Sequence, residues 1–231
     1  MKPQTVAIIP ARGGSKRIPR KNTRLFCGQP IITYPLKAAL SSRIFARVIV
    51  STDDSRAASI ARGLGADVVQ RPKALADDYS SLRNVMAHEA THFCTPDGPD
   101  YLCFILATAV FVSEGLLRRG AEIMSDGRFE HALTALSFSS PVQRAFLQTH
   151  NGGTRMLMPE YYSCRSQDLA VTYRDAGQFY WGKTRSFLET SAEYFSESTT
   201  LIPMDPDGVV DIDTFDDWEK AERCYRAAHE S

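Results

Sequence analysis

The stretch VAIIPARGGSKRIPRKN, residues 6–22, opens with a short β-branched run and turns at once into a basic loop. Val6 to Ile9 reads as a buried strand; beyond its carboxyl end come Arg12, Lys16, Arg17, Arg20 and Lys21, set among Gly13, Gly14 and Ser15. Open α/β sheets bind ligands outside the carboxyl ends of their strands, so this loop bears on both the fold and the site. Glycines let backbone N–H groups approach a phosphate closely, and the cations neutralise its charge and the charge developing on a departing pyrophosphate. A triphosphate suits these residues; a solvated basic loop is the competing reading on charge alone. The spacing is neither that of a P-loop nor the dinucleotide fingerprint GxGxxG.

Outward from this strand, β-branched runs alternate with amphipathic segments. That rhythm predicts an α/β fold, a mostly parallel sheet flanked by helices. Pro30 reads as the first residue of a helix reaching Ser41, with Pro35 marking a kink or a later start. Arg47 to Ser51 is the second strand, and Asp53 or Asp54 caps a helix through Ile60 that stops at Gly63 and Gly65. Val68 and Val69 begin a third strand. Ser80 and Ser81 are caps for a helix to Phe93, residues 95–100 (TPDGPD) form a turn, and Tyr101 to Leu106 is another buried strand. Ser113 and Glu114 open a helix to Met124.

From His131 the pattern changes. HALTALSF (131–138) and RAFLQT (144–149) read as extended strands, with Asn151-Gly152-Gly153 as a hairpin turn before RMLMP. The antiparallel excursion this implies, about residues 139–174, is too small to bury a core of its own, so packing against a second subunit is expected and a homodimer is predicted. Gln178 to Gly182 returns to the core, and a last helix spans Thr214 to Ala228. Residues 1–231 are read as one domain.

The chain carries 27 basic and 27 acidic side chains, a formal net charge of zero, which disfavours an extended nucleic-acid surface. Five scattered cysteines without CxxC spacing fit a reducing compartment. No run approaches the roughly 20 apolar residues of a membrane span. The apolar run at 6–9 is too short for a secretory signal, so a cytoplasmic protein is expected. His88, His92 and His150 show no metal-ligand pattern and read as surface or helix-face residues.

Near the C-terminus, VVDIDTFDDW (209–218) places Asp211 and Asp213 two apart in an extended segment, which puts both carboxylates on one face within reach of one magnesium ion or two. A helix N-cap at Thr214 or Asp213, with the other acids favouring the helix dipole, is the structural alternative.

VAIIPARGGSKRIPRKN resembles the N-terminal motif of the CMP-sialic acid synthetase family of cytidylyltransferases, and DIDT followed by DW resembles that family's metal-binding motif. The resemblance runs from Val6 to Trp218. It implies a Rossmann-like nucleotidyltransferase fold, CTP as one substrate and Mg2+ as cofactor. It further implies that Arg12, Ser15, Lys16 and Lys21 contact phosphates with Gly13 and Gly14 in the cradle, that Asn22 positions the nucleoside, that Lys21 stabilises the transition state, and that Asp211 and Asp213 bind magnesium. Arg71-Pro72 with Leu75, Asp77 and Asp78 resembles the loop that reads cytosine, although Arg-Pro is also a common loop dipeptide. Position 82 is Leu where relatives tend to carry a small hydroxyl residue, with Ser80 and Ser81 as substitutes. Residues 106–111 (LATAVF) resemble an ATAPF motif with Val110 replacing proline, and Thr108 borders the cleft.

RSQDL (165–169) and DAGQFYWG (175–182) resemble in particular the family's pseudaminic acid branch, where sialic acid synthetases tend to carry an NGAIY-like sequence. The partner implied is an acidic nine-carbon sugar. Arg165 suits its carboxylate, and Gln143, Arg144, Gln167 and Gln178 suit its acylamino and hydroxyl groups. Phe179 to Trp181 reads as sheet core. CMP-KDO synthetase is disfavoured by the RGGSK loop and RSQDL. Sialic acid synthetase is the nearest enzymatic alternative. Two others are a nucleotide-binding paralogue that has lost turnover, suggested by Leu82 and Val110, and a glycosyltransferase with a DxD metal site.

Overall fold

The computed structural model describes residues 4–75, 81–188 and 194–229. β1 (Thr5–Pro10) leads into the basic loop, which ends in a 3-10 turn at Lys21–Thr23 and a short ribbon, β2 (Leu25–Phe26) with β3 (Gln29–Pro30). α1 (Thr33–Ser42), β4 (Arg47–Thr52), α2 (Ser55–Gly63) and β5 (Asp67–Gln70) continue the expected alternation. α3 (Leu82–Thr91), β6 (Tyr101–Ile105), α4 (Glu114–Ser125) and β7 (His131–Ser137) follow. A small hairpin, β8 (Phe146–Gln148) with β9 (Thr154–Met156), precedes β10 (Tyr173–Lys183), β11 (Thr199–Met204) and α5 (Phe215–His229).

Seven strands form one sheet in the order β11-β7-β10-β6-β1-β4-β5. β10 is antiparallel to both its neighbours, and the remaining pairs are parallel. A strand alternates its side chains between the two faces of a sheet, and β1 is apolar on both. Ala7 and Ile9 pack with residues of α1, α2 and α4, whereas Val6 and Ile8 pack with Met86 and Ala90 of α3. Helices on both faces thus account for a first strand with no polar side, and they leave its carboxyl end as the place where the chain reaches solvent.

Several local expectations are corrected. Pro30 pairs with Leu25 in the ribbon, and α1 begins three residues later. Pro35 therefore sits in the first helical turn, where its missing N–H has no intrahelical partner to lose, and no kink is needed. Of the two acids before α2, Asp54 caps the helix by accepting from Arg56 N at 2.8 Å. Ser81 caps α3 by accepting from Asn84 N at 3.1 Å; Ser80, like Asp77 and Asp78, lies outside the described residues. Ser113 caps α4 as expected. β11 was not anticipated at all.

Candidate active site

A cavity of about 340 Å³ opens at the carboxyl ends of β1 and β6. The loop after β1 supplies Arg12, Ser15, Lys16, Arg17 and Lys21 to its wall together with Ile18 and Asn22; Pro10, Leu106, Ala107 and Thr108 come from the strand ends. The remainder is Arg71 and Leu75 after β5, with Leu82 and Val85 from α3. Part of the wall is thus dense in cations, as a polyphosphate requires, and part is apolar with one guanidinium, as a flat heterocycle with polar edges requires.

The loop keeps its shape through contacts that its composition does not announce. Asn22 is buried and donates from Nδ2 to Arg12 O at 2.9 Å, which clasps the two ends of the loop. Gly13 N donates to Asp53 Oδ1 at 2.8 Å, and a Cβ at this glycine would stand 3.2 Å from Asp54 Cβ. Gly13 thus packs closely against the start of α2, where a Cβ would press on Asp54, and its N–H is directed to Asp53. Gly13, Gly14 and Ser81 are not among the cavity-lining residues, whereas the other expected nucleotide contacts, Arg12, Ser15, Lys16, Lys21, Asn22, Arg71 and Thr108, are.

Val110, in the position where proline was expected, is buried and donates its N–H to Thr108 O at 2.8 Å. Ala109 N also donates to Leu106 O at 3.0 Å. A hydrogen bond that proline could not make thus holds this turn. Leu82 puts hydrocarbon on the cavity wall in place of a hydroxyl.

The two acids near the C-terminus meet the loop. Ile212 is buried among Ile18, Phe26, Val110 and Trp218, which turns its flanking residues Asp211 and Asp213 away from that core. Lys21 Nζ donates to Ile212 O at 2.7 Å and lies 3.3 Å from Asp213 Oδ1, while Arg17 Nη2 pairs with the same oxygen at 2.8 Å. The expected helix cap is also present, on Thr214 of the two candidates: Thr214 Oγ1 accepts from Asp217 N at 3.2 Å, and Asp217 Oδ2 accepts from Thr214 N at 2.8 Å and Asp213 N at 3.2 Å. This reciprocal cap satisfies the start of α5 and leaves the carboxylates of Asp211 and Asp213 for other work.

Burial pushes the Asp211 carboxyl up to about 6, with Asp213 and Asp175 adding like charge and Lys21 opposing them. Asp175 was not anticipated. It lies in β10 where the pairing with β7 shifts register, and its Oδ2 accepts from Tyr180 Oη at 2.5 Å. Gly177 follows at φ +62°, and a Cβ there would lie 2.4 Å from Asp211 Oδ1. Close approach of Asp211 to the β10 backbone therefore depends on a glycine at 177. Two hard carboxylates flanking Ile212, one of them raised by burial and by neighbouring acids, are the donor type that a dication such as magnesium takes.

A family profile described as cytidylyltransferase matches residues 6–205. The chain belongs to the cytidylyltransferase family. It is 36% identical over 230 residues to the pseudaminic acid cytidylyltransferase of Campylobacter jejuni subsp. jejuni serotype O:2, covering 99% of each chain. It is 27% identical over 223 residues to the N-acylneuraminate cytidylyltransferase of Escherichia coli O18:K1:H7, covering 96% of this chain and 52% of that one. The structure of CMP:2-keto-3-deoxy-manno-octonic acid synthetase complexed with CTP superposes with a TM-score of 0.72 at 18% identity, covering 99% of this chain and all of that one, a likeness of fold.

In this cytidylyltransferase the five residues expected to meet a sugar are dispersed. Gln178 is 0% exposed and donates from Nε2 to Ala176 O at 3.0 Å. Gln143 is buried and donates to Ala170 O at 3.0 Å. Arg144 donates to Ser166 Oγ at 3.1 Å, Arg165 pairs with Asp168 at 2.8 Å, and Gln167 is exposed. Arg144, Arg165 and Gln167 thus stand on the surface of segment 138–172, outside the cavity lining, and the two buried glutamines bond within their own surroundings.

Proposed function

We propose that this chain transfers CMP from CTP to a nonulosonic acid, pseudaminic acid, releasing pyrophosphate with Mg2+ as cofactor. The observation that carries the reading is the meeting of Lys21 with Ile212 O and Asp213, which joins the cation-lined cavity to the acid pair in a single site. The identity of 36% across 99% of both chains supports pseudaminic acid over its alternatives.

Arg12, Ser15, Lys16 and Lys21 hold the triphosphate, and Asp211 with Asp213 would hold the metal, which would supply charge neutralisation at the α-phosphate and the leaving group. The anomeric hydroxyl of the sugar attacks the α-phosphorus in line; the new bond joins sugar oxygen to phosphorus, the bond to pyrophosphate breaks, and the hydroxyl proton leaves to solvent. Lys21, placed between the phosphate loop and the acid pair, follows the negative charge as it moves to the leaving pyrophosphate. Arg165 takes the sugar carboxylate as a bidentate partner, exchanging Asp168 for it.

Segment 138–172 leaves Phe138, Phe146, Leu147, Leu157, Tyr162 and Val171 exposed, more apolar surface than so small an excursion can hide by itself. A second copy of the chain covers it in the proposed homodimer. Five free cysteines and a CTP-consuming reaction support a reducing, cytoplasmic setting.

The test is a panel of pseudaminic acid, legionaminic acid, N-acylneuraminic acid and KDO, each with CTP and Mg2+, read by product mass. CMP-pseudaminic acid as the dominant product is expected. Equal or better turnover of N-acylneuraminate moves the reading to a sialic acid synthetase, and CTP binding without product from any sugar points to a binding-only paralogue.

A further inference from the structure

Arg71 faces the cavity yet is only 3% exposed. A guanidinium that deep has given up hydration and depends on fixed partners for both its charge and its direction. Two of these lie on β4: Arg71 Nε donates to Ser51 Oγ at 3.3 Å, and Nη2 donates to Ser51 O at 3.1 Å. The Ser51 hydroxyl has one proton, and it donates that proton to Glu89 Oε1. Its lone pair is thereby left to Arg71. Glu89 comes from α3 and is 2% exposed, a carboxylate with no solvent of its own. Burial pushes the Arg71 pKa down, and the charge of Glu89 opposes that push. The three side chains form a line from α3 through β4 to the loop after β5, and the same α3 carries Leu82 and Val85 on the cavity wall.

We propose that Glu89, acting through Ser51, is a positioning residue that locks Arg71 as a fixed donor in the apolar part of the cavity and so sets the preference for cytosine over uracil. This rests on the CTP reading above. Cytosine offers acceptors at O2 and N3, whereas uracil presents an N–H at N3. A donor that cannot turn away or lose its proton welcomes the first and opposes the second. A guanidinium free to swing would accommodate either base, so the lock matters more for discrimination than for binding alone. The line also gives the buried Glu89 side chain of α3 a polar role where an apolar residue would otherwise serve packing.

The test compares the parent enzyme with Glu89→Gln and Ser51→Ala, measuring kcat and KM with CTP and with UTP alongside the melting temperature. Both variants are expected to raise KM for CTP and to lower the ratio of kcat/KM for CTP over UTP by about tenfold, with kcat for CTP within about threefold of the parent. Ser51→Ala keeps both charges and removes one oxygen, so it reports even if Glu89→Gln folds poorly. Lower melting temperatures with an unchanged KM and an unchanged CTP to UTP ratio would make the line a structural brace and overturn the proposal. A parent enzyme that releases no pyrophosphate from CTP instead overturns the nucleotide reading, and this proposal falls with it.

Discussion

The nucleotide half of the site and segment 138–172 are built in opposite ways. In the first, residues far apart in sequence close on one another: Lys21 reaches Ile212 and Asp213, Gly13 reaches Asp53, and Arg71 reaches Ser51. In the second, the polar side-chain contacts stay within the segment itself, Gln143 to Ala170, Arg144 to Ser166 and Arg165 to Asp168, and large apolar side chains face outward. Long-range contacts at the ends of buried strands hold a geometry without help, whereas a segment bonded mainly to itself can be re-formed by whatever binds it. In the proposed reading, the preformed pocket takes CTP and the self-bonded segment adjusts to the sugar.

The largest effects should come from breaking the first region. Lys21→Ala and Asp213→Asn each remove one side of the contact between loop and acid pair, and turnover should fall by about 10²–10³-fold with the fold retained, read as pyrophosphate release and far-UV circular dichroism. Unchanged turnover would remove both residues from the mechanism. In the second region the loss should be smaller and of a different kind. Arg165→Ala should raise KM for the sugar about tenfold and leave KM for CTP alone. A change confined to CTP would move the sugar pocket elsewhere.

The legibility of these regions in the sequence differs for the same reason. The loop at 6–22 is a continuous run whose strand, glycines and cations act within a few residues of one another, and its place at a sheet edge of carboxyl ends follows from βα alternation. Asp53, Asp175 and Glu89 matter through tertiary contacts, and nothing in their neighbourhoods marks them: Asp53 sits beside the true helix cap Asp54, and Asp175 opens the motif DAGQFYWG without a chemical signature of its own. β11 escaped because it is an edge strand containing Pro203, and proline within a short run argues against a strand unless that strand lies at an edge. Pro30 misled in the other direction, since its preference for a first helical turn is shared by strand edges.

Assembly gives a further way to sharpen the contrast. Phe146→Ser combined with Leu147→Ser should shift the protein from dimer to monomer in sedimentation velocity, with CTP binding kept. A monomeric parent would leave the exposed apolar side chains without the proposed partner.

The smallest expected effect concerns the acid pair alone. Asp211 is raised from 3.8 to about 6 in the folded chain, so its contribution to stability is full below the unfolded value and is lost as pH rises through about 6. Asp211→Asn removes that loss. In metal-free protein, the melting temperature of the variant relative to the parent should be constant below about pH 4, rise through about pH 6 and level off above about pH 7. A flat difference across that range would mean that the Asp211 carboxyl is not raised in the folded chain.

The proposed reaction joins the loop after β1 to the acid pair before α5 in one site that activates a nonulosonic acid with CTP. Pyrophosphate release by the purified chain, given CTP and pseudaminic acid with and without Mg2+, tests it. One pyrophosphate for each CMP-sugar formed, and only when metal, CTP and sugar are all present, is expected. Release of CMP without pyrophosphate, or no reaction with any nonulosonic acid, would contradict it.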